Sequence, residues 1–254
     1  IAIRNKSYDI VKKLLSKEYI NVNSKTRYKN SDIREVSSLY LAIEQENLEI
    51  VQLLLSHSNI DVNSVKITNH KDGSCDGYES KKAPLHLAVE KNDLEITKLL
   101  LNNPNLDINL ESYCYESKNK QTSFIYMKKT ALNIAIEQEN IEIIKLLLQS
   151  KKIDVNSIYN YEYEQPISIS GSLWPETCRM KEFKTPLYFA FEKNNLEIIQ
   201  LLLSNSNIDM NYKSEFYEEN IFFGTKYSQT KTEKLILNEA ILNKNTHLIK
   251  YLFD

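Results

Sequence analysis

One phrase returns along the 254 residues of this chain, and a fold that accommodates it must accommodate it several times over. The stretch Leu41–Leu55, reading LAIEQENLEIVQLLL, is matched by Leu87–Leu101, Ile134–Leu148 and Phe189–Leu203. The chain opens inside another copy at Ile1-Ala2-Ile3 and closes inside a sixth that begins Glu239-Ala240-Ile241. Downstream of the phrase, five copies reach an acid-or-amide, apolar, Asn signature, ending at Asn23, Asn63, Asn109, Asn156 and Asn211. In all five the alanine and that Asn are 21 residues apart, whereas alanine follows alanine at 40, 46, 47, 55 and 50. A rigid segment therefore alternates with a variable one, the pattern of a repeat architecture.

Each rigid segment reads as two short helices. The first places Leu85, Leu87 and Ala88 around a small residue that lets backbones approach. The second carries Leu94, Ile96, Leu99, Leu100 and Leu101, a stripe wide enough for burial between neighbours on both sides. Five residues after the alanines stand Ser7, Asn47, Asp93, Asn140, Asn195 and Asn245. All are good N-cap residues, whose side-chain oxygen takes a free N–H of the first turn. Helices this short are marginal alone, so each pair is expected to be held by its neighbours.

The unit resembles the ankyrin repeat. Ala83-Pro84-Leu85-His86-Leu87-Ala88 and Thr185-Pro186-Leu187-Tyr188-Phe189-Ala190 are similar to that family's TPLHLA opening, and Thr130-Ala131-Leu132 and Ser37-Ser38-Leu39 are weaker versions. The Leu-Glu-Ile, Leu-Leu-Leu and Asp-Val-Asn elements match too, in register in all six units. The resemblance implies an all-α repeat fold: an ankyrin-type solenoid of paired short helices with extended β-hairpin fingers. It implies one unit over 1–254, about six repeats with the outer two incomplete. It also gives His86 a structural hydrogen-bonding role. Two departures stand out. Where family members place Gly between the helices, this chain has Lys6, Glu46, Asn92, Glu139, Asn194 and Lys244, and the glycine before the Asp-Val-Asn ending is missing. Asn tolerates a left-handed backbone; Glu and Lys adopt one at a cost. The expectation is an altered turn and a less stable unit of the same fold.

All surplus length falls between the Asn signature and the next opening, where the resemblance places the fingers. Ser112–Tyr115 and Ser123–Met127 flank the polar turn 117–120 and read as a hairpin, and Asp72-Gly73 is a tight-turn pair. Tyr159, Tyr161 and Tyr163 alternate, as do Ile167 and Ile169 around Pro166. The segments 24–36, 64–82, 110–129, 157–184 and 212–234 hold 17 of the 25 aromatics, the single Trp and every cysteine. An AT-rich coding bias would explain abundant Tyr, but not this concentration. Two readings stay open. Long hairpins need β-formers to stand up; alternatively, Tyr supplies amphipathic contact area at low entropic cost, as in paratopes. On the second reading the fingers contribute contacts from Tyr113, Tyr115, Tyr126, Tyr159, Tyr161, Tyr163, Trp174, Tyr217 and Phe222.

The resemblance puts a second contact surface two and three residues after each alanine: Arg4/Asn5, Glu44/Gln45, Glu90/Lys91, Glu137/Gln138, Glu192/Lys193 and Leu242/Asn243. Four glutamates stacked about 10 Å apart would make an acidic stripe, offset in part by Lys91 and Lys193, or simply a solvated helix face. These positions vary little between repeats, so specificity is expected in the fingers.

The remaining chemistry is sparse. Lysine and arginine total 32 against 34 acids, which gives no reason to expect nucleic acid, and no apolar run approaches the roughly 18 residues of a membrane span. Four glycines exclude a glycine-rich phosphate loop. Three isolated cysteines fit a reducing, cytoplasmic setting. A zinc site from His70, Cys75, Cys114 and Cys178 lacks any close ligand pair, so no metal and no cofactor are expected. Neither is a catalytic group, since no nucleophile, base and oxyanion donors can be assembled. Position 1 is Ile and the last helical pattern stops at Asp254, so a longer parent chain is expected. Together these point to a monomeric, non-catalytic module that binds another protein through fingers and concave helix face. The alternative is a targeting or regulatory domain of a larger enzyme or channel.

Overall fold

Two adjacent residues build the joint inside each unit. Lys6, Glu46, Asn92, Glu139 and Asn194 all take a left-handed backbone, with φ between 52° and 57°. The residue after each turns the chain into the second helix. The side chains of Asn47, Asp93, Asn140 and Asn195 accept the N–H of Ile50, Ile96, Ile143 and Ile198. Ser7 makes no such bond, and Asn245 lies outside the described residues.

This computed structural model describes residues 1–27, 33–71, 77–118, 123–167, 176–222, 225–243 and Ile249. The first helices of the units are α2 (Ser38–Glu44), α4 (Pro84–Glu90), α6 (Ala131–Glu137), α8 (Pro186–Glu192) and α10 (Ile236–Leu242). The second helices are α1 (Tyr8–Leu15), α3 (Leu48–Leu55), α5 (Leu94–Leu101), α7 (Ile141–Leu148) and α9 (Leu196–Leu203). First helices touch first helices in an inner row and second touch second in an outer row. The core lies between the rows. Ala42, Ala88, Ala135, Ala190 and Ala240 are fully buried, and so are Leu39, Leu100, Leu132, Ile134, Ile143 and Leu147. An amide ladder ties unit to unit along the far side. Asn23, Asn63, Asn109 and Asn156 each donate to a carbonyl of the next unit and accept the N–H of Asp61, Asp107, Asp154 and Asp209.

The all-α expectation is overturned by the segments between units. They form β1 (Ile33–Glu35), β2 (Lys66–Lys71), β3 (Gly77–Lys82), β4 (Ser112–Lys118) and β5 (Ser123–Lys129), then β6 (Tyr159–Ile167), β7 (Glu176–Lys184), β8 (Ser214–Phe222) and β9 (Thr225–Lys234). The fingers do not stand apart. Among the described residues all nine strands join in one antiparallel sheet in chain order, with β3 bonded to β4, β5 to β6 and β7 to β8 across the gaps between hairpins. The reason is commensurate spacing. Helix pairs repeat at about 10 Å, and two strands occupy nearly the same width at about 4.8 Å each. The outer edge of every hairpin therefore arrives at bonding distance from its neighbour's. Isolated, those edges would expose unpaired N–H and C=O groups. The turns expected at Asp72-Gly73 and around 119–120 fall outside the described residues.

The strained joint makes one prediction. Glycine reaches a φ near 55° without the Cβ clash that Glu139 bears. Glu139→Gly gives up only an exposed bond from Asn195 Nδ2 (2.9 Å). The variant should be more stable by about 1 kcal/mol, read as a higher urea midpoint at unchanged slope. A lowered midpoint would show that the exposed bond outweighs the strain.

Candidate functional site

Counting from the Asn that ends each rigid segment decides which side of the sheet a residue takes. The third residue on, which is Lys66, Ser112, Tyr159 or Ser214, pairs in register with Lys82, Lys129, Lys184 or Lys234. These lysines meet the inner helices. Lys66 Nζ reaches Glu44 at 2.6 Å, Lys82 reaches Glu90 at 2.8 Å, Lys129 reaches Glu137 at 2.5 Å and Lys184 reaches Glu192 at 2.8 Å. Side chains alternate along a strand, so every second residue from this base row lies on the side of the sheet that the inner helices share, the side that the resemblance expects to be concave.

Each glutamate of the stripe thereby meets a lysine from the sheet, and not mainly the residues beside it. Lys91 turns to Glu46 of the preceding unit (2.5 Å), Lys193 lies over the Phe189 ring (5.8 Å), and Gln138 donates to the Glu90 carbonyl (2.9 Å). Gln45 is the C-cap of α2. The lysines of this row carried a signal in the sequence: Lys82, Lys129, Lys184 and Lys234, the last facing Glu239 and not the stripe, each stand six residues before the alanine of their unit. In the second unit Val36 holds that place, buried, and Lys66 on the neighbouring strand supplies the charge instead.

The tyrosines divide between the two sides of the sheet. Tyr159, Tyr161 and Tyr163 lie on the concave side and form a column running outward from α8. Tyr159 is buried and stacks on Phe189 with centroids 5.1 Å apart; Tyr161 lies 6.3 Å beyond it, and Tyr163 a further 5.4 Å. Phe216 of β8 faces Tyr188 edge-on at 5.6 Å, under the ammonium of Lys234 at 4.8 Å. Burial opposes charge on Lys184, yet Glu182 and Glu192 together hold it above the ordinary lysine range.

Tyr113, Tyr115, Tyr126 and Tyr217 sit one residue out of phase and face the other way. There Tyr115 stacks on Phe124 (6.1 Å), Phe183 meets Tyr217 edge-on (5.8 Å), and Tyr113 donates to Glu79 (2.7 Å). That bond, then burial, pushes the Tyr113 phenol up to about 12. Arg179 with Glu164, and Lys181 and Lys226 with Glu219, complete this outer side. Phe222 ends β8, and Trp174 lies outside the described residues. The tyrosines among the expected finger contacts thus belong to two surfaces, of which the concave one is continuous with the helix positions.

Among the described residues no group of three or more His, Cys, Asp or Glu is arranged to hold a metal ion, and no helix is long and apolar enough to cross a membrane. Cys114 and Cys178 are free thiols, and Cys75 lies outside the described residues.

Family models describing ankyrin repeats match most of the chain: three copies over residues 65–159, and single repeats over 36–67 and 183–215. No curated protein matches it.

Proposed function

The chain belongs to the ankyrin repeat family, whose members generally serve as protein–protein interaction modules, and from this premise we propose that it binds another protein through the concave surface shared by the inner helices and the sheet. In this reading the chain carries out no catalysis. The observation that carries it is the column Phe189, Tyr159, Tyr161, Tyr163, which runs without a break from helix to sheet. Tyr159 packs against α8 and anchors the column, while Tyr161 and Tyr163 are half-buried and keep part of their surface open. Aromatic rings with few rotatable bonds give contact area at low entropic cost. The lysine–glutamate row beneath them cancels its own charge. It therefore acts as a spacer that fixes the angle between sheet and helices.

The test is affinity capture from the native lysate with wild-type chain and Tyr161→Ala/Tyr163→Ala side by side. Proteins held by wild type should be depleted at least tenfold on the double variant. Identical capture profiles would refute the concave surface as the binding face.

A further inference from the structure

Above the lysine row, the concave side of β5 to β8 changes character. Read from β5 to β8, the next row outward is Met127, Tyr161, Glu182, Phe216 and the one after it Ile125, Tyr163, Met180, Glu218. Neither holds a lysine or arginine, though the ammoniums of Lys184 and Lys234 reach the Phe216 ring from the row beneath. Glu182 stands directly across from Tyr161, and Met180 lies between Tyr163 and Glu218. Cross-strand neighbours of this kind hold their Cβ atoms about 5 Å apart. Each carboxylate has charge to spare. Lys184 is shared, at 2.7 Å from Glu182 and 2.8 Å from Glu192, so one positive charge serves two negative ones. Glu218 is exposed, and the Cys178 thiol approaches it at 3.9 Å. The surplus is felt locally: burial first, then Glu182 and, more weakly, Glu218 push the Tyr163 phenol above its ordinary range.

The opposite side of the same strands shows what completes such a pair. There Arg179 lies 5.1 Å from the Phe124 ring centroid and donates to Glu164 at 2.7 and 3.0 Å. A planar guanidinium satisfies ring and carboxylate together, which the compact ammonium of lysine does less well. The concave rows present the ring and the carboxylate with no guanidinium, Glu182 having only its share of the Lys184 ammonium.

We propose that this patch receives an extended, arginine-bearing segment of a partner protein, a guanidinium lying on Tyr161 or Tyr163 and bonded to Glu182 or Glu218. This rests on the concave surface being the binding face, and it names the chemistry of what binds there.

The probes are fluorescein-labelled peptides alternating Arg and Ser, Lys and Ser, or Glu and Ser, titrated with the 254-residue chain and followed by anisotropy. The arginine peptide should bind at least fivefold tighter than the lysine peptide, and the glutamate peptide should not bind. Glu182→Gln/Glu218→Gln, which keeps shape, should weaken the arginine peptide at least tenfold. Tyr161→Phe/Tyr163→Phe should stay within twofold of wild type, whereas the alanine pair should lose at least tenfold. Glu49→Gln, an exposed carboxylate on α3, should change nothing and so separates the patch from bulk charge. Circular dichroism verifies that each variant is folded. Equal binding of arginine and lysine peptides, or indifference to the glutamine pair, would overturn the assignment. Lysate partners lost on the alanine pair while the arginine peptide fails to bind would leave the concave surface standing and remove the arginine.

Discussion

Leu147→Ala should cost about 4 kcal/mol, a large fraction of the stability of a single folded unit of this kind. Leu147 is fully buried at the centre of the outer row, beside the equally buried Ile143 and Ile144. Truncation leaves a cavity that neighbours on both sides of the stack cannot close, because each is pinned by its own contacts. In a row of helices joined only to nearest neighbours, such a defect would let the two halves melt separately. Here β5, β6 and β7 bridge the damaged unit with backbone bonds. A single urea transition is therefore expected, shifted to a lower midpoint at unchanged slope. Far-UV circular dichroism reports the helices, and near-UV signal reports the stacked tyrosines. Coincident shifts in both support the coupling; two separated transitions would show that the sheet does not carry it.

The second large effect is a dependence on acid that resides in His86. Its ring is 1% exposed, accepts the Ala83 N–H at Nδ1 (3.2 Å) and donates from Nε2 to the Leu110 carbonyl (2.8 Å). Only the neutral ring can do both. Burial pulls its pKa down to about 4, against the bond to Leu110, and the charges of Lys82 and Lys129 pull the same way. Since the unfolded ring titrates near 6.5, its contribution is complete above that pH. It is lost as pH falls toward 4, about 2 kcal/mol having gone by pH 5 and about 3 by pH 4. The next unit supplies the control, because Asn133 accepts the Thr130 N–H at 3.0 Å with an amide that does not titrate. His86→Asn should therefore lose about 2 kcal/mol less than wild type between pH 7 and pH 5, measured as the difference in urea stability. Equal losses would show that the buried ring is not the sensor.

Much of this was readable along the chain, and the limits follow from what is local. Asn47, Asp93, Asn140 and Asn195 announce their caps because the bond closes within three residues. The side taken by each tyrosine was also within reach: Tyr159 is the third residue after its Asn and Tyr113 the fourth after its own, and one residue inverts the face. The merging of hairpins into one sheet was not local. It depends on two unrelated lengths, the helix-pair spacing and twice the strand spacing, agreeing across residues such as Phe124 and Glu164, forty positions apart. The partners of the four stripe glutamates were not local either, since the lysines that answer them arrive from strands.

Because neighbouring hairpins are laced together, their lengths cannot drift independently over evolutionary time. Among the described residues the strands grow from 6 residues in β2 to 10 in β9, and each of these differs from the strand beside it by two residues at most. An insertion that lengthened one arm alone would leave a fringe of amides with nothing to meet, unless the adjacent arm grew as well. Homologous chains should accordingly show paired gains and losses at successive insertions, and graft engineering on this scaffold should transplant adjoining arms as a block.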